Sequence, residues 1–172
     1  MTTSLGCRTP FPMTAASMIA IEDLPKQLAR DARLLGLDVG TKTIGMALSD
    51  MTRSVATPFD TIRRTKFTAD AKTIREVVEE NQVGALVIGF PLNLDGSEGP
   101  RAQSTRAFAR NLAAYVTVPM VFWDERLSTA AVERHLIEAD ASRKRRAEVV
   151  DRMAAAYILQ GALDRLRNLA DR

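Results

Sequence analysis

Short apolar runs and longer amphipathic stretches alternate along the chain, and their periods sort them into strands and helices. Leu34, Leu35, Leu37 and Val39 form a first run ending in Gly40-Thr41-Lys42-Thr43, which reads as a strand and a turn. Residues 43–49 form a second apolar run and residues 55–62 a weaker third. Three short strands in succession predict an antiparallel meander. Over residues 68–81, Ala71, Ile74, Val77 and Val78 recur at helical spacing, with Glu76, Glu79 and Glu80 facing outward. Residues 85–90 are continuously apolar, as expected of a central strand covered on both faces. A loop rich in Pro, Gly, Asn and Asp spans 91–99, and Pro100 suits the first turn of a helix running to about residue 115. Residues 119–123 predict another central strand. Ser128 or Thr129 can cap a helix through Ala139, and a final helix is expected from about residue 147 to 168.

A meander followed by alternating helices and strands predicts an α/β domain. Its core is a mixed five-stranded sheet, three antiparallel strands first, with helices on both faces. That domain occupies residues 33–172. Residues 1–32 lack a regular period and read as a loosely ordered N-terminal extension. Their uncharged stretch, 9–21, is broken by Pro10 and Pro12 and lacks a leucine-rich centre, so a signal peptide is not expected. Met13 and Met18 offer alternative starts. No apolar run approaches the roughly 20 residues that span a bilayer, so no membrane partner is expected. The one cysteine, Cys7, excludes a disulfide within the chain and fits a reducing cytoplasm.

A net charge of +3 permits nucleic-acid binding without arguing for it. The distribution says more. Arg63, Arg64 and Lys66 cluster once, and Arg143, Lys144, Arg145 and Arg146 form a dense run that suits phosphate contact.

Four constellations carry candidate chemistry. Asp38 lies inside an otherwise apolar strand, where an unpartnered carboxylate is costly; it therefore calls for a metal, a cation or hydrogen bonds. Gly36, Gly40 and Gly45 around it allow close approach to the backbone. The 89–99 loop leaves a central strand before a helix, a common ligand position, where Ser97 can hold a phosphate and Glu98 can add a metal ligand. Asp124 and Glu125 follow a strand, and adjacent side chains in extended backbone point to opposite sides. One of the two is expected to face the site, and the other to pair with Arg126 or cap a helix. Asp151 borders the apolar face of the last helix and can point across the sheet. Trp123 reads as core. Asp38, the Asp124/Glu125 pair and Asp151 can converge at one end of the sheet. Clustered carboxylates repel unless cations intervene, and oxygen ligands suit Mg²⁺ or Mn²⁺. Two such ions can drive phosphodiester hydrolysis. The only histidine, His135, falls on an expected surface helix, so a Ser–His or Cys–His mechanism has little support, and no zinc site can be built.

The segments LLGLDVGTKTIGMALSD, LVIGFPLNLDGSEG, DERLST and VDRMAAAYILQGAL resemble the four signature blocks of the YqgF/RuvX family. They come in the family's order and cover residues 33–166. The resemblance implies a ribonuclease H-like fold related to the RuvC junction resolvases. It implies a metal-dependent nuclease, a role in processing the 5′ end of pre-16S ribosomal RNA, and, as proposed for the family, resolution of Holliday junctions. The family's acidic residues fall on Asp38, on Glu125 or Asp124, and on Asp151. Lys42, Ser97, Arg126 and the run Arg143, Lys144, Arg145 and Arg146 are the candidates for holding substrate. The expected partner is nucleic acid, either pre-16S rRNA in the maturing small subunit or branched DNA, bound by a monomer or a homodimer. RuvC-like enzymes carry a carboxylate at the end of the strand matching 85–90; here Gly89, Phe90 and Pro91 stand there instead, which leaves one ligand position open.

Three other readings compete. Junction cleavage uses the same residues, and two-fold assembly would favour it. A phosphate loop of the actin-like ATPase or sugar-kinase kind also has Asp-x-Gly-Thr-Lys, but needs two such domains, for which the chain is too short. A non-catalytic RNA-binding assembly module would leave three carboxylates without a reason.

Overall fold

The computed structural model describes residues 16–127 and 143–171, leaving out the side chains of 143–148. Five strands, β1 (Arg33–Val39), β2 (Thr43–Ser49), β3 (Ala56–Arg63), β4 (Val83–Phe90) and β5 (Met120–Asp124), form one sheet in the order β3-β2-β1-β4-β5. The β1–β2 and β2–β3 pairs are antiparallel, and β1–β4 and β4–β5 are parallel. This is the mixed sheet expected from the apolar pattern. Helix α1 (Phe67–Glu80) crosses from β3 to β4, and α2 (Pro100–Leu112) from β4 to β5, with Pro100 in its first turn. The basic run differs from expectation. It opens the last helix, α3 (Arg143–Ala170), instead of preceding it. Arginine and lysine are good helix formers, so a charge run need not be a loop. The expected cap at Ser128 or Thr129, its helix through Ala139, His135 and Cys7 lie outside the described residues.

Strand alternation divides the core in two. Leu35 and Leu37 of β1, Ile44, Met46 and Leu48 of β2, and Leu86 and Ile88 of β4 pack with Ile74 of α1 and Phe108 and Leu112 of α2. The intervening residues, Leu34, Ala47, Ala85, Val87, Val121 and Trp123, pack with Ala155, Ile158, Leu159 and Leu163 of α3. Helices α1 and α2 therefore cover one face and α3 the other.

The α3 face is built for close approach. A Cβ at Gly36 would stand 2.8 Å from Leu159 Cβ and 2.9 Å from the Ala155 carbonyl oxygen. A Cβ at Gly45 would overlap the Asp151 carbonyl oxygen. Backbone touches backbone at these points, so no side chain fits between them.

Residues 16–32, expected to be loose, are tied down. Met18 bridges to Met120 in parallel, with Ile19 N–H donating to the Met120 carbonyl at 2.9 Å and Met120 N–H to the Ser17 carbonyl at 2.9 Å. This covers the outer edge of β5. Leu24, in the 3-10 turn Ile21–Lys26, is wholly buried against the α3 layer. The segment is held by pairing with a distant strand, by apolar contacts around Leu24, and by Arg53 bonding the Ala32 carbonyl at 2.8 Å, none of which leaves a local period in sequence.

Gly45→Val should push α3 off β2 and lower unfolding stability by about 3 kcal/mol, the scale of overpacking in a tight core. Urea denaturation checks this. A change below about 0.5 kcal/mol would mean that the helix lifts without cost, and that the contact does not position Asp151.

Candidate active site

Asp38, the last but one residue of β1, lies on the α3 face. It pairs with Gly45 across the β1–β2 ladder and is two residues beyond Gly36, so all three share a side of the sheet. Asp38 is buried, with 7% of its surface exposed. The β1–β2 turn brings Thr43 to the same side, where its hydroxyl donates to Asp151 Oδ2 at 2.5 Å. The helix position over Gly45 thus delivers the Asp151 carboxylate to the hairpin that carries Asp38.

The Asp124/Glu125 pair separates by strand alternation. Trp123 lies on the α3 face, its ring 2.9 Å from where a Cβ at Gly161 would stand. Two residues on, Glu125 returns to that face. Its Oε1 lies 2.8 Å from where a Gly89 Cβ would be. Asp124 pairs in register with Phe90, on the opposite side. There Arg126 grips it with Nε at 3.0 and 3.1 Å from the two carboxylate oxygens and Nη2 at 2.6 Å. This hydrogen bonding holds the Asp124 carboxyl below the usual carboxylate range, against a smaller opposing effect of burial, and raises the Arg126 guanidinium. Asp124, open until now as a metal ligand, is engaged elsewhere.

Three carboxylates, Asp38, Glu125 and Asp151, therefore face one side of the sheet at the carboxyl edge of its parallel strands. Among the described residues they are not drawn together into a ready-made metal cluster. Their chemistry nonetheless fits a hard divalent cation, since all are oxygen donors on one face. RuvC-like enzymes carry a carboxylate at this strand end, and the geometry shows what fills that space where Gly89 stands. Glu125, reaching over from β5, and Ile158 of α3 occupy the space such a side chain would fill.

The candidate substrate residues fare unevenly. Lys42 is exposed at the β1–β2 turn, beside Thr43. The Ser97 hydroxyl donates to Asp95 Oδ1 at 2.6 Å and accepts from Asn93 Nδ2 at 2.9 Å, so it closes its own loop. Arg126, besides Asp124, reaches the carbonyl oxygens of Asn93 at 3.5 Å and Leu94 at 3.4 Å. Glu98 pairs with Arg106 of α2, with Nε 3.2 Å from Oε2, and is not directed at the other carboxylates. Arg143, Lys144, Arg145 and Arg146 lie in the first turns of α3, their side chains outside the described residues.

Two contributors were not among the candidate site residues, although Arg64 stood out in sequence as part of a basic cluster. One is Thr43, visible only as part of a turn. The other is Arg64, just after β3. Its Nη1 donates to the Gly40 carbonyl at 2.7 Å and its backbone N–H to the Lys42 carbonyl at 2.9 Å, while its Nε lies 3.6 Å from the buried Asp70 carboxylate. Arg64 braces the turn that follows Asp38.

Antiparallel meander, parallel extension and an acidic carboxyl edge under one long helix make this a ribonuclease H-like domain. The fold is shared with RuvC of T. thermophilus, solved in complex with a Holliday junction substrate, at a TM-score of 0.50 and 12% identity over 79% of this chain and 96% of that one. The model of the RuvX family, described as Holliday junction resolvase, matches residues 32–165, and the chain belongs to that family. It is 60% identical to the "Putative pre-16S rRNA nuclease" of Methylocella silvestris over 90% of this chain and 96% of that one. It is 64% identical to the protein of the same name from Paramagnetospirillum magneticum, over 86% and 95%.

The Arg126 clamp generates a prediction. Asp124→Asn should speed amide exchange across residues 93–97 by about tenfold, the cost of weakening a charge-assisted pair at a partly exposed site. In the wild type the same loosening should appear only as pH falls below the ordinary aspartate value of about 3.9, because the folded carboxyl stays ionised to lower pH than a free one. Exchange rates unchanged by Asp124→Asn would mean that the loop is held without the clamp.

Proposed function

We propose that the chain is a divalent-metal-dependent nuclease that processes the 5′ end of pre-16S ribosomal RNA. The observation that carries this reading is the shared direction of Asp38, Glu125 and Asp151 at one sheet edge. The name of its close relatives supports the RNA substrate. Asp38, Glu125 and Asp151 would hold Mg²⁺ or Mn²⁺. When bound, such ions activate water and stabilise the leaving oxygen in phosphodiester hydrolysis.

The chain's own residues do the rest. Thr43 fixes one oxygen of Asp151, which leaves the other to turn toward the site. Arg64 and the close packing of α3 keep Asp38 and Asp151 in register. Lys42, exposed on the adjacent turn, is the candidate to meet a substrate phosphate, with the basic opening of α3 as a second contact. Arg126 acts instead through the loop it holds. The expected setting is the cytoplasm, with the maturing small subunit as partner. Among the described residues no helix is long and apolar enough to cross a membrane.

The direct test compares cleavage of a pre-16S 5′-leader fragment with that of a four-way DNA junction, in Mg²⁺, Mn²⁺ or EDTA. Metal-dependent cutting of the leader is expected. Asp38→Asn, Glu125→Gln and Asp151→Asn should each slow it by more than about a hundredfold, since a bound ion supplies several kcal/mol of transition-state stabilisation. Preference for the junction would move the substrate to branched DNA. Equal cutting in EDTA would remove the metal from the reading.

Thr43 gives a finer check. Thr43→Val should weaken Mn²⁺ binding and cleavage by roughly 10- to 100-fold, as loss of a ligand's hydrogen-bond partner does, while Thr43→Ser keeps both. Equal behaviour of the two variants would show that the hydroxyl does not orient Asp151.

A further inference from the structure

Of the basic cluster Arg63, Arg64 and Lys66, Arg64 braces the turn after Asp38, while Arg63 and Lys66 are exposed. The topology puts both at the acidic edge. Strand β3 runs in the same direction as β1, because each is antiparallel to β2. Its carboxyl end, where Arg63 stands, is therefore the end of the sheet that carries Asp38. Arg63 is paired in register with Thr43, whose hydroxyl donates to Asp151. Directly opposed residues of an antiparallel pair project to one face, with Cβ atoms about 5 Å apart. Arg63 thus shares the α3 face with Thr43 and lies beside the residue that holds the Asp151 carboxylate. The Arg64 N–H donates to the Lys42 carbonyl at 2.9 Å, which carries the ladder one step further and sets Lys42 opposite Arg64. Lys66 follows two residues on, immediately before α1, and its side chain makes no capping bond.

The two flanks of the edge differ in charge. On the β5 flank Asp95, Glu98 and Asp124 stand against Arg101, Arg106 and Arg126, with Glu98–Arg106 and Asp124–Arg126 in direct pairs. On the β3 flank Arg64 is paired with the buried Asp70, and Lys42 and Lys66 form no ion pair among the described residues. A nucleic-acid strand is a polyanion, and it meets three carboxylates here. A divalent cation offsets the charge at the phosphate being cut, but the neighbouring phosphates of the same strand still face the acidic edge. They are best accommodated where fixed cations outnumber carboxylates, which is the β3 flank.

We propose that Arg63 and Lys66, continuing from Lys42, form a phosphate rail that holds the RNA strand on the β3 flank of the acidic edge. This rests on the nuclease reading above and adds a direction to it. The substrate must extend past the scissile phosphate on one side, and the rail fixes which flank of the site that arm occupies.

The test uses the full chain and a single-stranded leader RNA, with binding read by fluorescence anisotropy in EDTA across a salt series. Each phosphate contact to a single strand adds about 0.7 to the slope of log affinity against log salt. Arg63→Gln and Lys66→Gln should each lower that slope by about 0.7, and the double variant by about 1.4. Arg63→Lys should keep the wild-type slope. Lys72→Gln, at a lysine of α1 that pairs with Glu76, should change nothing. With metal restored, Arg63→Gln and Lys66→Gln should raise KM severalfold and leave kcat unchanged. Uncharged methylphosphonate linkages then locate the contact. Next to the mapped cleavage position on one side, such a linkage should weaken wild-type binding and have no further effect on Arg63→Gln. On the other side it should affect both proteins alike.

Unchanged slopes, or an affinity loss equal at every salt concentration, would overturn the rail and leave the nuclease reading intact. So would methylphosphonates that act alike on wild type and Arg63→Gln on both sides. If the slopes fall as expected but no metal ion brings about cutting, the rail stands as an RNA-binding surface and the nuclease reading fails. A wild type that binds no RNA overturns the rail and removes RNA as the substrate.

Discussion

Helix α3 lies on the sheet with its backbone against the backbone of β2 and β1, at Gly45 and Gly36. Side chains ordinarily fill the layer between a helix and a sheet, and here glycine removes them at the crossing points. The consequence is positional. Asp151 comes down onto the hairpin close enough for Thr43 to hold its carboxylate, and the next turns of α3 seal Ile158 and Leu159 into the core. Without that approach, Asp38 would lie beneath a gap and Asp151 would sit on a surface helix. The acidic edge is a product of helix packing as much as of the residues that bear the charge.

Three carboxylates on one face repel one another, and proteins offset this with donors, distance or cations. A donor operates here: Asp151 has its Thr43 hydroxyl, while Glu125 is set over Gly89 of β4. The Arg64–Asp70 pair neutralises itself beneath the turn and spends its remaining hydrogen-bonding capacity on backbone carbonyls. Arg64 is thus committed to holding the shape of the turn that follows Asp38.

Much of this was legible in sequence, for a physical reason. Strand alternation and helical spacing are local, so the five strands, the two crossing helices and the two-faced sheet follow from residue order alone. Asp38 was visible because a carboxylate in an apolar strand is conspicuous. What stayed hidden depends on contacts between distant residues. The anchoring of residues 16–32 comes from a bridge to Met120 and from Leu24 filling a hole in another layer. The start of α3 was misplaced because a run of four cations looks solvated whether it is loop or helix. Ser97 and Glu98 looked like ligands because their loop leaves a central strand before a helix, and their partners, Asp95 and Arg106, come from the fold of the loop and from α2.

The neighbouring carboxylates Asp124 and Glu125 show how sharply the strand period divides labour. They differ by one residue and one methylene, yet one fastens a loop and the other overlies β4 among the α3 side chains. The division follows from register. Trp123 is committed to the α3 layer by its packing on Gly161, so Glu125 must return to that layer and Asp124 must leave it. Slipping β5 by one residue would exchange the two roles and turn Trp123 out of the core. The tryptophan is therefore the key that sets the register. Its burial decides which acid can face Asp38 and Asp151, and hence whether Arg126 is left free to hold the loop that carries Leu94.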